Sequence, residues 1–422
     1  METEIYDQLL EKSRQRKNDE HNQNVHRFLY SALKKCFYTR LSHIHIEPMA
    51  QTLRVRYRCG LTGAFHKHTH LPKSFPILKY VKKIARMNIA ETSIPQSGYC
   101  KIIYGGHTTY PVRLFVSTLP CQYGESMVMH IVCTTISFYI WRDVVGIPRL
   151  HKAIENSRCG LFLATGPAQC GKTATMFSIL PELSRREIKV ITIENFITMN
   201  YPGLIQITTD PSTGGNYPNR LRAVLDHMPD VIFVGEILDR ETAEIAMRAA
   251  KKCLVLATIP DNNDTCSCLS RFVEMGIDSS LISTTIRYIT SQRLVLQLCQ
   301  RCKTSYTPKT GELLALGQSP SSTGNFFRAT GCKECNNGYM GRTRIHEVLE
   351  ISPAIRELIC DKASTTQLRE AASEDGMSTL LGSGIEKLLA GETTSLEILR
   401  VLFQRSHNLS TNSVPDSVGE RR

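Results

Sequence analysis

A glycine-bounded turn within residues 160–176 has the residue types of a phosphate-binding loop. It contains Gly166, four further residues, and then Gly171-Lys172-Thr173. The glycines would let consecutive backbone N–H groups curl around phosphate oxygens, the lysine would reach the β- and γ-phosphates, and the threonine hydroxyl would bind Mg²⁺. A chance match in a glycine-rich turn is the alternative. The apolar run before the turn and the helix-forming segment after it favour the phosphate loop, because the motif needs that context.

The loop predicts that the chain binds ATP together with Mg²⁺. Thr173 is the predicted Mg²⁺ ligand. Cys170, inside the loop, is interpreted as a small hydrophobic residue, with redox sensitivity as the alternative. The residues predicted to bind nucleotide are Gly166, Pro167, Ala168, Gln169, Cys170, Gly171, Lys172, Thr173 and Ala174.

Two acidic residues follow apolar runs downstream of the loop. Glu236 comes after Val231-Ile-Phe-Val-Gly, at the end of a predicted strand, where it would order Mg²⁺ and water beside the phosphates. Glu194 ends a second run, Val190-Ile-Thr-Ile, and could polarise the attacking water as a general base. An acid after a strand is common by chance, and a solvent-exposed carboxylate remains the alternative for Glu194.

Two pairs of cysteines, Cys299 with Cys302 and Cys332 with Cys335, have the C-x-x-C spacing of a metal site. Each pair would place two thiolates on one tight turn, and two such turns make the tetrahedral cage that Zn²⁺ prefers. Four sulfur ligands leave no open position, so the predicted role is structural. Buried cysteines without a metal are the alternative.

The composition of the chain limits its partners and its compartment. The 422 residues carry 51 Lys and Arg against 39 Asp and Glu, a formal net charge of +12. This excess predicts contact with an anionic surface, either acidic phospholipid or nucleic acid. The polar N-terminus has no signal-peptide pattern, the apolar stretch near residues 127–141 is too short to span a bilayer, and the 15 cysteines suggest reduced thiols in the cytosol.

The elements around these motifs predict an α/β fold with a P-loop nucleotide-binding core. Strand-like alternation in HIHIEP and LRVRYRC predicts an N-terminal α+β domain, whereas continuous apolar runs predict a buried, mainly parallel sheet in the core. A Cys₄ zinc insertion and a helical C-terminal tail follow. The predicted divisions are a polar tail or helix over 1–24, the N-terminal domain over 25–143, a linker over 144–150, the ATPase core over 151–298, the zinc-binding segment over 299–350, helices over 351–408 and a disordered tail over 409–422.

With these residues in place, the chain resembles the secretion ATPases of the PilB and GspE type, which drive type II secretion and assemble type IV pili. The resemblance runs from about residue 41 to the helical tail. The motifs that carry it are Ile44-His-Ile-Glu-Pro48, Val116-Ser-Thr-Leu-Pro120, the phosphate loop, Ile193-Glu194, Val234-Gly-Glu-Ile237 with the following Asp239 and Glu241, Gln292-Arg293-Leu294, the cysteine pairs, and Gly341-Arg342-Thr343 with Glu347.

The resemblance implies that the α/β core is a RecA-like P-loop ATPase core and that the chain forms a homo-oligomer, a hexameric ring, in the cytoplasm and peripheral on the inner membrane. ATP hydrolysis would push on an inner-membrane platform protein so that pilin-like subunits are extruded. Lys172 and Thr173 would hold the phosphates and Mg²⁺, and Glu236 and Glu194 would be the two acidic residues of the site. The long N-terminal module of many members is expected to be missing, so docking to a membrane partner through it is not expected.

The chain also departs from the family at charged positions. Tyr99 and Phe115 stand where the family has arginines directed at phosphate, Asn195-Phe196 follow Glu194 in place of Asp-Pro, and Pro260 stands in place of a histidine. Arg113 lies two residues from Phe115, on the same face of its strand, and could supply the missing charge.

Three functions therefore compete. The first is a working motor in which Arg113, or an arginine among Arg54, Arg56 and Arg58, is catalytic. The second is a degenerate ring subunit that binds nucleotide but hydrolyses little. The third, a zinc-bearing nucleic-acid motor, is disfavoured because no basic strip interleaved with aromatic residues is present, so nucleic acid is not an expected partner.

Overall fold

The structure is a computed structural model that describes residues 20–39, 41–58, 65–105, 109–133, 147–197, 200–209, 215–260, 264–320, 324–335 and 337–403. Most of the predicted N-terminal tail, residues 144–146 of the predicted linker and the whole predicted disordered tail lie outside these ranges. The described chain begins in helix α1 (Glu20–Thr39).

Six strands form an antiparallel N-terminal sheet. Their sequences alternate apolar and polar residues, so strands such as the first two bury every second side chain, as predicted. The sheet order is β3-β2-β1-β6-β5-β4. The strands are β1 (His43–Pro48), β2 (Thr52–Arg58), β3 (Phe65–Pro72), β4 (Gln96–Gly105), β5 (Thr109–Cys121) and β6 (Gly124–Cys133).

One face of this sheet packs into a hydrophobic core with α1 and helix α2 (Ile77–Ile84). The core side chains come from the alternate strand positions, among them Ile44, Val55 and Leu114, all fully buried. The opposite face carries polar and aromatic residues. One face of the sheet therefore forms the hydrophobic core. The other face carries the residues that contact the candidate site.

A single row of directly paired residues crosses all six strands on this second face. Their cross-strand partners follow one another from β4 to β3 without a gap. We call this set the cross-strand row; it consists of Tyr99, Phe115, His130, His43, Arg58 and Phe65. The two positions at which related ATPases are expected to carry arginine, 99 and 115, are therefore direct neighbours in the sheet.

The nucleotide core contains five neighbouring strands in the order β7-β11-β10-β8-β9. These are β7 (Gly160–Gly166), β8 (Val190–Glu194), β9 (Ile205–Thr208), β10 (Val231–Val234) and β11 (Leu254–Pro260). Strand β10 pairs in parallel with β8 and β11, and β8 pairs in parallel with β9. Strands β7, β8 and β10 are buried throughout, which explains why their sequences are continuously apolar.

Helices connect these strands and follow them. They are α3 (Pro148–Glu155), α4 (Lys172–Phe177), α5 (Leu180–Ser184), α6 (Tyr217–Asp226), α7 (Arg240–Ala249), α8 (Thr265–Glu274) and α9 (Ser279–Thr285). Polar side chains cap several of them. The Asp239 side chain accepts a hydrogen bond from the backbone N–H of Thr242 and so fixes the start of α7, as a helix N-cap does.

The remaining strands and helices follow β12 (Ile286–Leu298), which pairs antiparallel with β15 (Tyr339–Glu350). Between them lie a two-stranded sheet of β13 (Thr304–Tyr306) and β14 (Phe326–Arg328) and helix α10 (Thr310–Ala315). The predicted helical tail is confirmed as α11 (Pro353–Cys360), α12 (Thr365–Glu374), α13 (Leu380–Leu389) and α14 (Ser395–Phe403).

The chain divides into two compact units. The first holds the described residues of Met1–Ala164, Ala168–Pro260 and Met275–Arg287, and so includes both the N-terminal sheet and most of the nucleotide core. The second holds the described residues of Thr165–Pro167, Asp261–Glu274 and Tyr288–Arg422. Among the described residues, no helix is both long enough and apolar enough to cross a membrane.

Candidate functional site

The predicted phosphate loop leaves β7 and ends where α4 begins. Its backbone takes up left-handed conformations at Gly166 (φ 141°), Gln169 (φ 64°) and Gly171 (φ 91°). Glycine adopts such conformations at no steric cost, which explains the two glycines of the motif. These turns curl the loop, and Gly171 immediately precedes the helix that Lys172 opens.

The side chains of the loop are divided between the interior and solvent. Lys172 is 7% exposed and Cys170 is 3% exposed, whereas Ala168, Gln169 and Thr173 are exposed. Pro167, Gly171 and Ala174 are partly buried, and Gly166 is buried. An exposed hydroxyl at the start of a helix is accessible to a metal ion, as the prediction for Thr173 requires.

The two predicted acidic residues come from adjacent parallel strands. Val234 of β10 pairs with Ile193 of β8, so Glu194 and Glu236 emerge at the same edge of the sheet. The strands approach closely there, because Gly235 N–H donates to the Ile193 carbonyl at 2.8 Å. A Cβ atom at Gly235 would lie 2.9 Å from that carbonyl oxygen, so only glycine fits.

Asn195 orients Glu236. The Thr209 hydroxyl donates to Asn195 Oδ1 at 2.8 Å, which turns the Asn195 amide nitrogen toward Glu236 Oε2, 3.4 Å away. An amide can donate to the carboxylate, whereas the family's aspartate at this position could not. The departure at Asn195 thus adds a neutral donor beside one acidic residue of the site.

Glu194 is only 4% exposed. Its burial does not support the alternative of a solvent-exposed carboxylate. Burial raises the pKa of Glu194, opposed by hydrogen bonds to Oε1 from the Thr192 hydroxyl at 2.7 Å and the Gln206 amide at 3.1 Å, and by the charge of Arg113. A carboxylate whose pKa is raised is a stronger proton acceptor once ionised, which suits a general base.

Arg113 reaches the nucleotide core from strand β5. Its Nη2 donates to Asn200 Oδ1 at 3.1 Å, and the side chain is only 7% exposed. Burial lowers the pKa of Arg113, and the neighbouring Tyr99 and Glu194 oppose that effect. Arg113 therefore contacts the segment that follows Glu194, and its catalytic role stays a prediction.

The aromatic substitutions form a contact of their own. The ring of Phe115 lies 4.8 Å from the ring of Phe196, centroid to centroid, and 6.3 Å from that of Tyr99. Two departures that look unrelated in the sequence, an aromatic residue on β5 and another after Glu194, are thus in contact. Their contact is an apolar one between the N-terminal sheet and the core.

The other arginines considered for the site have partners elsewhere. Arg54 Nε donates to Glu47 Oε2 at 2.8 Å, and Arg56 pairs with Glu47 Oε1. Arg58 lies over the ring of Phe65, 5.4 Å from its centroid. Pro260, in place of the histidine expected from the resemblance, ends β11, and the three residues after it lie outside the described ranges.

Sequence reasoning missed three polar contacts of the site. It noted Asn195 only as a departure, and it did not consider Asn200 or His43, whose Nε2 lies 3.2 Å from Gln169 Nε2 in the phosphate loop. The HIHIEP strand did signal that His43 shares a face with His45. Nothing local to His43 could have identified its partner, which is 126 positions away.

The four predicted zinc ligands come together in the second unit. The sulfur atoms of Cys299, Cys302, Cys332 and Cys335 all lie within 4.8 Å of one another. Individual Sγ–Sγ distances are 4.0 Å for Cys299–Cys332 and 3.7 Å for Cys302–Cys335. Four sulfurs around one Zn²⁺ at about 2.3 Å would be roughly 3.8 Å apart. This donor set fits a tetrahedral metal ion.

Backbone amides support the thiolate form of one ligand. Desolvation acts to raise the pKa of Cys335, but hydrogen bonds from the N–H groups of Cys332 and Gly338, at 3.2 and 3.3 Å, help to lower it to about 7. Metal binding requires the thiolate, so a lowered pKa favours it near neutral pH.

A model of the family described as "Type II/IV secretion system protein" matches residues 18–400 of the chain. Among curated relatives, the type IV pilus assembly ATPase PilB of Thermus thermophilus is 35% identical over 382 residues, covering 88% of this chain and 42% of the relative. The type II secretion system protein E of Xanthomonas campestris is 33% identical over 372 residues, covering 86% of this chain and 64% of the relative. The chain thus spans less than two thirds of either relative.

Another relative is matched over more of its length. The protein transport protein HofB homolog of Escherichia coli is 34% identical over 389 residues, which cover 89% of this chain and 80% of the relative. An identity of this size over most of both chains means that the similarity is not confined to the phosphate loop.

Solved structures confirm the predicted fold. The ATPase DotB of Legionella pneumophila has a TM-score of 0.62 at 16% identity and covers 89% of this chain and 95% of that one. The pilus retraction motor PilT, solved with bound ADP, has a TM-score of 0.60 at 20% identity and covers 88% of this chain and 96% of that one. The α/β fold with a RecA-like core is therefore the one expected from the sequence.

Proposed function

The chain belongs to the family of type II/IV secretion system proteins, and from this premise we propose that it is an ATP-hydrolysing motor. The observation that carries the proposal is the contact of Arg113 with Asn200, beside the buried Glu194. It supplies a cation where Tyr99 and Phe115 supply none. We propose that the motor assembles a pilus or a secretion pseudopilus, because relatives are named for type IV pilus assembly and for type II secretion.

Each residue of the site has a role in this proposal. Lys172 would bind the β- and γ-phosphates, Thr173 would hold Mg²⁺, and Glu236, which lies beside the Asn195 amide, would order water at the ion. Mg²⁺ supplies charge neutralisation on the phosphates. Glu194 accepts a proton from the attacking water, since its burial makes it a stronger base than a surface carboxylate.

Arg113 is our choice for the cation that stabilises the transferred phosphoryl group. Arg54 and Arg56 share the carboxylate of Glu47, so much of their charge is already neutralised. Arg113 instead donates its hydrogen bond to an amide oxygen, and the Glu194 carboxylate acts on it only through the electric field. Such an arginine is typically worth several orders of magnitude in rate.

The four-cysteine cluster binds one Zn²⁺ in our proposal. The sulfur spacing supports a tetrahedral ion, and the absence of a fifth donor among the clustered residues supports a structural role. The ion would tie the turn after β12 to the turn before β15. Its loss would destabilise the second unit and leave the phosphate loop chemically intact.

We further propose that the chain works as a homo-oligomer, a hexameric ring, in the cytoplasm at the inner membrane, against a platform protein of that membrane. The family membership supports this arrangement. The net charge of +12 supports contact with anionic phospholipid at the membrane surface, since basic proteins are attracted to acidic lipid headgroups. Nucleic acid is not part of the proposal.

Mg²⁺-dependent ATP hydrolysis by the purified chain tests the proposal. The wild type should hydrolyse ATP, and Lys172→Ala should reduce hydrolysis to background, because the phosphates lose their lysine. Lys252→Ala is the matched control, since it removes an exposed lysine of the same core and should leave the rate unchanged. Assembly of each variant is checked by size-exclusion chromatography.

A second outcome would favour the degenerate subunit. If the wild type forms a ring and binds nucleotide but hydrolyses none, the aromatic residues at positions 99 and 115 have disabled it, and Arg113 does not compensate. If the wild type neither binds nor hydrolyses ATP, the assignment of the phosphate loop is wrong.

A further inference from the structure

His43 begins strand β1 and lies at the centre of the cross-strand row. Its direct partners are His130 on β6 and Arg58 on β2. The imidazole rings of His43 and His130 are stacked, with centroids 4.5 Å apart and ring planes 10° apart. Strand pairing and stacking on His130 therefore fix the position and orientation of the His43 ring.

The hydrogen bonds of His43 determine where its proton lies. Gln169 Nε2 is 3.2 Å from His43 Nε2, and an amide nitrogen can only donate, so His43 Nε2 must accept. The ring proton then lies on Nδ1, which is 2.8 Å from the hydroxyl oxygen of Ser42. That hydroxyl in turn donates to the carbonyl oxygen of Arg58 at 3.4 Å. Only neutral His43 completes this chain of bonds.

The groups facing His43 also favour its neutral form. Within the described ranges they are His45 from its own strand, His130 from β6, Arg58 from β2 and the uncharged Gln169 from the phosphate loop, and none of these is a carboxylate. Burial, with smaller contributions from His130, His45 and Arg58, lowers the pKa of His43 to about 4. At neutral pH His43 is therefore an acceptor.

Gln169 is one of the exposed residues of the phosphate loop. It holds a left-handed backbone conformation, φ 64°, which is unfavourable for a residue with a Cβ atom. A contact from outside the loop can offset part of this cost. The side-chain bond to His43 is such a contact, and it comes from the N-terminal sheet.

We propose that His43 is a positioning residue that holds Gln169, and with it the phosphate loop, in the curled conformation that receives phosphate. This inference rests on the proposed nucleotide-binding function and adds a link to it. The N-terminal sheet preorganises the loop, so breaking the bond at His43 weakens nucleotide binding without changing any residue of the loop. Nucleotide in the loop, by the same linkage, strengthens the contact with the sheet.

The test is the affinity for fluorescently labelled Mg·ADP of the full chain and three variants. His43→Phe keeps an aromatic ring against His130 but cannot accept, Gln169→Met keeps the shape of the side chain but cannot donate, and the double variant lacks both. One neutral hydrogen bond is worth about 1 kcal/mol, so each single variant should bind about fivefold more weakly. The double variant should be no weaker than either single variant, because all three lack the same bond.

His70→Phe is the matched control, since it makes the same substitution on edge strand β3, where His70 lies beside Thr52. Its affinity should equal that of the wild type. Unchanged or tighter binding by His43→Phe, or additive losses in the double variant, would overturn the inference.

A pH series separates positioning from general loss of structure. With the contact made, His43 has a pKa of about 4, and once the contact opens it can regain its ordinary value of 6.5. Lowering the pH from 7 to 5.5 therefore favours the open form and should weaken wild-type binding by up to about fivefold relative to His43→Gln. That variant keeps an acceptor oxygen that does not titrate, and the ratio cancels ionisation of the nucleotide itself.

Two outcomes of the pH series are distinct. A wild type and a His43→Gln variant with parallel pH profiles would overturn the inference alone. Binding that is absent from the wild type, or that Lys172→Ala does not reduce, would instead overturn the proposed function and the inference with it.

Discussion

The ring of Phe115, on the N-terminal sheet, packs 4.8 Å from the ring of Phe196, which follows Glu194 in the nucleotide core. Both residues are positions at which the sequence departs from the pattern expected from the family resemblance. The contact holds the acidic strand end against the N-terminal sheet by apolar packing rather than by charge. It lies on the same face as Arg113, the candidate for the displaced charge.

The two rings should be energetically coupled. Phe115→Leu and Phe196→Leu, measured singly and together by urea unfolding, should show a coupling free energy of about 0.5 kcal/mol, the lower end for aromatic pairs because Phe196 is 45% exposed. Tyr123→Leu combined with Phe196→Leu is the control and should be additive. Additivity of the Phe115 pair would mean that its rings do not stabilise the fold.

Arg113 should affect the rate far more than the affinity. Arg113→Ala should reduce kcat for ATP hydrolysis by on the order of 10³-fold, while the Kd for ATP changes little, because the charge acts on the transition state. Arg113→Lys should restore part of the rate. The control is Arg186→Ala, at an exposed arginine of the same core. An Arg113→Ala variant with an unchanged kcat would mean that Arg113 is not the catalytic cation and would favour an arginine of β2 instead.

Ionisation of Glu194 should limit the rate of ATP hydrolysis at acidic pH. Its pKa is raised by burial, and a general base works only when ionised, so kcat should fall as the pH falls through a value above the ordinary 4.5. Glu194→Gln should lower kcat by about 10²–10⁴-fold and remove this acidic limb. A wild-type rate that stays level down to the ordinary pKa of a glutamate would contradict the role.

The same residue should cost stability at neutral pH. A carboxyl whose pKa is raised in the folded protein binds its proton more tightly there, so its stabilising contribution is lost as the pH rises through the folded pKa. Glu194→Gln imitates the protonated form and keeps the oxygen that accepts from Thr192 and Gln206. The variant should therefore be more stable than the wild type in urea at pH 7, and the difference should shrink as the pH falls.

Local patterns predicted the elements, and through them part of the site. The strands of the N-terminal sheet follow from their period of two, and the phosphate loop follows from glycines between an apolar run and a helix. The cysteine pairs predicted a cluster, and the four sulfurs do come together. In each case the physical cause lies within a few residues of the pattern.

Contacts between distant segments could not be predicted in this way. The bond from Arg113 to Asn200 joins residues 87 positions apart, and that between His43 and Gln169 joins residues 126 apart. No periodicity encodes which face of one domain meets which loop of another. The resemblance to a family directed attention to Arg113, but the amide that receives its hydrogen bond became visible only in three dimensions.

The cysteine cluster should bind one Zn²⁺ per chain. Cys332→Ser should release the ion and lower the melting temperature, because three sulfurs and a hydroxyl bind Zn²⁺ less tightly than four sulfurs. Cys360→Ser, at an exposed cysteine outside the cluster, is the control and should retain the metal. Elemental analysis of the purified wild type measures the metal directly, and a result without zinc would leave the sulfurs as an unmetallated cluster.

The burial of Lys82 could not be predicted from the sequence. It stands in a helix whose other lysines are exposed or partly so, yet its side chain is only 1% exposed. Its ammonium group donates to both oxygens of Glu125, at 2.9 and 3.0 Å, and to the carbonyl of Glu91. The pair joins α2 to the start of strand β6.

Breaking this pair should destabilise the N-terminal domain more than any surface charge change. Glu125→Gln leaves a buried ammonium without its counter-ion, which typically costs about 3–5 kcal/mol, and urea unfolding followed by tyrosine fluorescence would measure the loss. Replacing both partners, Lys82→Met with Glu125→Leu, should recover much of it, because no uncompensated charge remains. Glu241→Gln, which removes the partner of exposed Arg222, is the control and should cost less than about 1 kcal/mol. Equal effects of the two single changes would mean that water reaches Lys82 in solution.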